Sequence, residues 1–205
     1  SIYVIGAITI GIIALLAVYF ILIATGVISA EPVRLVLSSA SRTAEYNGVS
    51  LTDDGWQLES GELKDGHVLT VTVTGARTEV GESDNVFSAT VHDENGYDVT
   101  DSYGIKYKFG RLAVTPRKIV VASASAEKTY DGEPLTARSC AVLDGSLVDG
   151  HELEYHVNGS LTAAGKTDNT FAATVTDGER DVSYNYDIEY LFGTLYVHGE
   201  MLNIV

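Results

Sequence analysis

Leu35-Val-Leu-Ser-Ser-Ala-Ser41 and Ile119-Val-Val-Ala-Ser-Ala-Ser125 decide the fold, because everything that follows the first stretch recurs after the second. Tyr46-Asn-Gly48 falls on Tyr130-Asp-Gly132, and Leu63-Lys-Asp-Gly-His67 on Leu147-Val-Asp-Gly-His151. Gly75 meets Gly159, Gly81 meets Gly165, and Asp84-Asn85-Val-Phe87 meets Asp168-Asn169-Thr-Phe171, all 84 positions on. A single deletion after Asp93 moves the offset to 83. Tyr103 then matches Tyr186, Ile105-Lys-Tyr107 matches Ile188-Glu-Tyr190, and Phe109-Gly110 matches Phe192-Gly193. Repetition at a fixed period is the signature of tandem modules, each one supersecondary unit.

Within each repeat the period is two. Thr70-Val-Thr-Val-Thr74, Val86-Phe-Ser-Ala-Thr-Val91 and Ile105-Lys-Tyr-Lys-Phe109 alternate apolar and polar, which predicts half-buried strands. Glu94-Asn-Gly-Tyr97 reads as a hairpin turn of the Asn-Gly type, and Asp65-Gly66 and Asp149-Gly150 as further turns. The repeated Gly81/Asp84-Asn85 and Gly165/Asp168-Asn169 read as another turn that the fold requires. Val71, Val73, Phe87, Val91, Ile105, Tyr107 and their counterparts form the expected core. Thr115-Pro-Arg117 is the expected linker, since proline cannot donate to a ladder. About seven short strands in some 80 residues is the rhythm of an immunoglobulin-like sandwich. The Cys…Trp…Cys pattern of antibody domains is missing, and Trp56 is matched by Cys140, so this position is expected to be a partly buried packing site.

The first thirty residues differ in kind. They carry no charge at all, and the first charged side chains are Glu31 and Arg34. A continuous helix is expected over residues 2–29, with a kink near Gly11 or Gly26. It is apolar all round, so it belongs in lipid or in a bundle of helices. Gly6, Ala7, Gly11, Ala14 and Ala17 recur at helical spacing and are the expected helix-packing positions. No methionine and no basic stretch precede the apolar run, which argues against a removed signal peptide and for a chain cut just before its apolar segment.

That segment resembles the N-terminus of type IV pilins and of archaeal pilins and archaellins. The resemblance implies helices bundled in the core of an extracellular filament, with β-rich heads outside. Position five is Ile5, where bacterial type IV pilins carry a glutamate, and this departs from the bacterial subclass more than from the wider family. The repeats are similar to the Tyr-Asp-Gly repeats of bacterial surface proteins. The similarity rests on Lys128-Thr-Tyr-Asp-Gly-Glu-Pro-Leu135, Asp149-Gly-His151, Gly165-Lys-Thr-Asp-Asn169 and Asn185-Tyr-Asp-Ile188. It implies an extracellular stalk or adhesive module rather than a reaction.

Composition agrees. The 205 residues carry 13 Lys and Arg against 28 Asp and Glu, a formal charge of −15 that repels nucleic acid. Cys140 is the only cysteine, so no intramolecular disulfide exists and a buried core thiol is expected. His67, His92, His151, His156 and His198 show no metal-ligand spacing, and His67 and His151 read as structural turn or strand-edge residues. Asp93-Glu-Asn-Gly-Tyr-Asp98 has oxygens for calcium but lacks the full loop pattern, and reads as a solvated hairpin. Asn158-Gly-Ser160 fits a glycosylation sequon.

The expected protein is therefore mainly β: a hydrophobic helix (1–31), then two tandem Ig-like β-sandwich modules (32–116 and 117–205). No catalytic residue, cofactor or metal site is expected. The expected function is a structural, pilin-like subunit of a cell-surface filament. Its partners would be further copies of itself through the helices, the membrane before assembly, and a host or surface ligand that the sequence does not identify. The alternative is a membrane-anchored surface adhesin or stalk.

Overall fold

The computed structural model describes residues 13–22 and 31–199. Residues 13–22 form a helix, α1. The rest of the expected helix over 2–29, with Gly6, Ala7, Gly11 and Gly26, lies outside the described residues. Among the described residues no helix is long and apolar enough to cross a membrane.

The remainder is mainly β structure, with 3-10 turns at Thr100–Ser102 and Ser183–Asn185. The first repeat supplies β1 (Val33–Ser39), β2 (Arg42–Glu45), β3 (Trp56–Ser60), β4 (Val68–Val73), β5 (Gly81–Asn85), β6 (Phe87–His92), β7 (Tyr103–Lys108) and β8 (Gly110–Thr115). The second supplies β9 (Arg117–Ser123), β10 (Ala126–Thr129), β11 (Cys140–Asp144), β12 (His151–Val157), β13 (Gly165–Asn169), β14 (Phe171–Asp177), β15 (Arg180–Asp181), β16 (Tyr186–Leu191) and β17 (Gly193–His198). Only Pro116 separates β8 from β9, as its missing N–H requires.

The chain divides into two compact units: Ser1–Ser38 with Trp56–Thr72 and Ser88–Lys108, and Ser39–Gly55 with Val73–Phe87 and Phe109–Val205. The first unit contains the sheet β3-β1-β7 and most of the pair β4-β6. Leu35, Val91 and Tyr103 are its buried centre, with Leu63, Leu69 and Ile105 packed around them. The second unit holds the sheet β2-β8-β5 and all three sheets of the second repeat, β11-β9-β16, β12-β14-β15 and β10-β17-β13. One core joins Tyr46, Leu51, Leu112 and Val114 to Ile119, Val121, Phe171, Val175 and Tyr186.

The pairings of the two repeats correspond, except that β15 is matched only by an isolated His92–Asp98 bridge. β1 runs parallel to β7 with Leu35 opposite Ile105, and β9 runs parallel to β16 with Ile119 opposite Ile188. β2 pairs parallel to β8 and β10 to β17. β5 then pairs antiparallel to β8 with Gly81 opposite Val114, and β13 to β17 with Gly165 opposite Val197. In the second repeat the opening strand leaves β16 at Ala124 and continues beside β17, while the closing strand makes the same transfer at Phe192.

Where the two transfers meet, the backbones are in close contact. A Cβ on Gly193 would lie 2.5 Å from the Ala124 carbonyl oxygen, and one on Gly110 would lie 2.2 Å from that of Ala40. The Ser123 hydroxyl donates to the Asn169 carbonyl at 2.6 Å and accepts the Gly193 N–H at 3.0 Å. Ser39, Asn85 and Gly110 repeat this at 2.5 and 3.0 Å.

Asn85 and Asn169 are fully buried and end strands β5 and β13, so the repeated Asp-Asn pair is not the turn expected from sequence. Each side-chain amide donates to two carbonyls, Ala40 and Asp53 for Asn85, Ala124 and Ala137 for Asn169. Its Oδ1 accepts no hydrogen bond among the described residues and faces the α-carbon of the repeated glycine. A Cβ there would lie 2.2 Å from Asn85 Oδ1 at Gly75 and 2.0 Å from Asn169 Oδ1 at Gly159. Only a glycine hydrogen fits, as a weak C–H···O contact.

The register shift between repeats has a local cause. The first hairpin has three loop residues, with the Gly96 N–H donating to the Asp93 carbonyl at 3.0 Å and Gly96 at φ 83°. Among the described residues no non-glycine has positive φ, so Asn95-Gly96 is a right-handed turn closed by a left-handed glycine rather than a mirror-image turn. In the second repeat Asp177 pairs directly with Arg180, leaving Gly178 and Glu179. Gly178 at φ 60° occupies the first loop position, as a II′ turn requires.

Burial departs from the expected core at the strand edges. Phe87, Val91, Val157, Phe171 and Val175 are buried, and Val71, Val73, Ile105 and Ile188 half-buried. Tyr107, Tyr155 and Tyr190 are exposed. Tyr190 lies over the Phe171 ring at 5.3 Å, and its hydroxyl donates outward to the Ala173 carbonyl. Tyr155 stands on the edge strand β12. Trp56 is exposed rather than partly buried, because β3 is an edge strand whose five residues all face solvent.

Candidate functional site

Of the expected helix-packing residues, Ala14 and Ala17 lie on α1 one turn apart, both exposed. Gly6, Ala7 and Gly11 are outside the described residues. Around α1 the large side chains Ile13, Leu15, Leu16, Val18, Tyr19 and Phe20 are all exposed. At 3.6 residues per turn these positions point in every direction, so the helix has no polar face.

The second site is the seam where the first repeat meets the second, inside the larger unit. His67 and His151 each follow a tight turn in which the His N–H returns to the carbonyl of Lys64 or Val148, at 3.0 Å in both. Gly66 and Gly150, at φ 76° and 86°, supply the left-handed position of a type II turn. The turn aims His151 Nδ1 at the Tyr186 hydroxyl, 2.7 Å away, while the Val148 N–H donates to that same oxygen at 3.0 Å. The Tyr186 hydroxyl thus joins the Val148 backbone to the His151 ring. Tyr103 and His67 form the same pair at 2.8 Å. Both histidines are therefore structural anchors of a strand-end tyrosine, and burial pushes the Tyr186 phenol up.

Against this anchor the first repeat lays Tyr46. Its ring is 5.8 Å from Tyr186 and 6.1 Å from His151, and it is 3% exposed. Burial raises its pKa as well. Gly48 abuts Val148, the Val80 N–H donates to Asn185 Oδ1 at 2.9 Å, and Glu79 pairs with Arg180 at 3.0 Å. Arg117, just after the linker, donates to Ser146 from Nε and Nη2 at 2.6 Å and lies 3.9 Å from the Glu45 carboxylate. A groove of about 700 Å³ follows the seam, lined by Arg77, Glu79, Asp149, His151, Asp177 and Arg180. Sequence comparison of the repeats pointed to Tyr46 and His151 as repeated residues but gave no sign that they touch. Their meeting depends on the one-residue linker.

The other candidates are placed as follows. Cys140 is half-buried against the core rather than fully buried, and burial raises its thiol pKa, which disfavours the reactive thiolate. Asp93 Oδ1 accepts the N–H groups of Asn95 and Tyr97 at 2.9 Å, and the Tyr97 bond in particular holds its pKa down. That carboxylate closes its own hairpin. Among the described residues no three His, Cys, Asp or Glu side chains group as metal ligands. His198 lies 3.3 Å from Glu127 at the surface. Asn158 is exposed beside the buried Gly159. No protein-family model matches the chain, and no curated protein matches it.

Proposed function

We propose that this protein is a structural, pilin-like subunit of an extracellular filament, with its N-terminal helices in the filament core and two Ig-like modules, 32–116 and 117–205, outside. The observation that carries this reading is α1, a helix with large apolar side chains exposed on every side. Such a surface is covered in its working state, and burial contributes about 25 cal/mol for each Å² removed from water. The small residues Ala14 and Ala17, with Gly6, Ala7 and Gly11 in the same run, let neighbouring helices approach closely. The matched strand pairings of the two repeats support a pair of like modules. The strongly acidic repeat region suits a surface that faces water and not nucleic acid.

The test is negative-stain microscopy of native protein sheared from cells, beside variants Gly11→Leu and Ala17→Leu. Helical filaments, with yield reduced several-fold by either variant, are expected. Monomers in detergent micelles, indifferent to both variants, would replace this reading with that of a membrane-anchored surface adhesin.

A further inference from the structure

Each repeat carries two features that the seam uses differently: the strand-end tyrosine with its histidine, and the Tyr-x-Gly turn. In the seam the first repeat's turn, Tyr46 to Gly48, covers the second repeat's anchor, Tyr186 with His151. The first repeat carries the same anchor, Tyr103 with His67, in the same geometry. The second carries the same turn, Tyr130 to Gly132, with Tyr130 39% exposed and nothing within 4 Å of a Cβ built on Gly132.

We infer that the Tyr130–Gly132 end of one copy docks on the His67–Tyr103 end of a second copy of this chain, repeating the Tyr46–His151 seam between molecules.

The substitutions between the equivalent positions favour this pairing. In the seam, apolar Val148 faces Gly48, which is flanked by Asn47 and Val49. At the equivalent positions Val148 becomes the exposed Lys64, and the flanks become the exposed Asp131 and Glu133, while Tyr103 itself is buried like Tyr186. Asp131 is paired with Lys128 of its own chain at 2.5 Å, so the complementary charge is that of Glu133 on one face and Lys64 on the other. The Glu79–Arg180 ion pair becomes Ala163 and the exposed Tyr97, an apolar pair in place of a charged one. The Asn185 side chain, which accepts the Val80 N–H, becomes Ser102, which has a hydroxyl to accept from Ala164. Each exchange alters both sides in step. A contact between two different surfaces of like molecules is heterologous, so it builds a closed ring or an open filament rather than a two-fold dimer. The inference rests on the filament reading only in that it gives the modules a contact of their own beside the helices.

The test uses the full chain in detergent, with Cys140→Ser as background. A Cβ built on Gly48 lies 3.9 Å from Val148 Cβ, within disulfide range. Gly48→Cys with Val148→Cys should therefore close within one chain under a mild oxidant, which takes up the two electrons and two protons. The equivalent pair, Gly132→Cys with Lys64→Cys, should give a ladder of covalent multimers that reductant collapses, at least tenfold above either single variant. In the chain without added cysteines, Lys64→Glu should weaken concentration-dependent association several-fold in sedimentation, and Glu133→Lys in the same chain should restore it. Free thiols in the Gly132–Lys64 pair while the Gly48–Val148 pair closes would overturn the inference, as would association indifferent to both charge variants. A ladder without filaments would keep this contact and remove the filament reading; filaments without a ladder would do the reverse.

Discussion

At the scale of single residues, Gly75, Gly159, Gly110 and Gly193 are sites of close approach, while Gly66, Gly150 and Gly132 serve turns. Gly159→Ala drives a methyl into Asn169 Oδ1 and should cost about 2–3 kcal/mol, as overpacking of a dense interior does. Gly132→Ala meets no atom and carries only the strain of φ 81°, about 1 kcal/mol. Urea unfolding of the two variants should separate these costs, and equal losses would refute the packing account. Tyr186→Phe leaves the Val148 N–H and His151 Nδ1 without their shared hydroxyl, a loss of about 1–3 kcal/mol by the same measurement. The sequence showed that Gly75, Gly159 and the two asparagines matter, because they recur. It could not show why, since the partner carbonyls of Asn169 lie 45 and 32 residues away and belong to no local pattern.

At the scale of elements, alternation located the strands, and the Asn-Gly and Asp-Gly pairs located the turns. Their geometry was less legible. A left-handed glycine after an ordinary turn and a mirror-image turn share the same dipeptide, and only the φ of Asn95 separates them. Nor does alternation distinguish a central strand from an edge, so Tyr155 looked like a core residue, and Trp56 like a partly buried one. The hairpin carries a pH dependence of known sign. The backbone N–H of Tyr97 leads in lowering the Asp93 pKa, so its stabilisation is present above the unfolded carboxylate value, about 3.9, and is lost as pH falls through the lower folded value. Asp181, lowered chiefly by Ser183, acts in the same direction. Thermal melts from pH 6 to pH 3 should therefore show acid destabilisation, and Asp93→Asn should reduce its slope; an unchanged slope would argue that the hairpin carboxylate contributes nothing.

At the scale of the whole molecule, duplication was plain from the sequence, but the way the chain joins its repeats was not. The larger unit takes in the second repeat together with Tyr46, Leu51, Leu112 and Val114 of the first. Removing the buried Tyr46 ring should cost about 3–5 kcal/mol, as large-to-small changes at aromatic core positions do. The exposed Glu79–Arg180 pair should contribute under 1 kcal/mol in a double-mutant cycle. If Tyr46→Ala left the urea midpoint unmoved, the seam would be a contact without energy. One further property follows from the parallel pairing of β9 with β16 and of β10 with β17. A strand that opens the second repeat and one that closes it run in the same direction, so tension applied at its two ends pulls them past each other. Their hydrogen bonds are then loaded together, in shear, instead of parting one at a time like a zip. A repeat held in this way resists stretching along its length far better than one whose strands part singly.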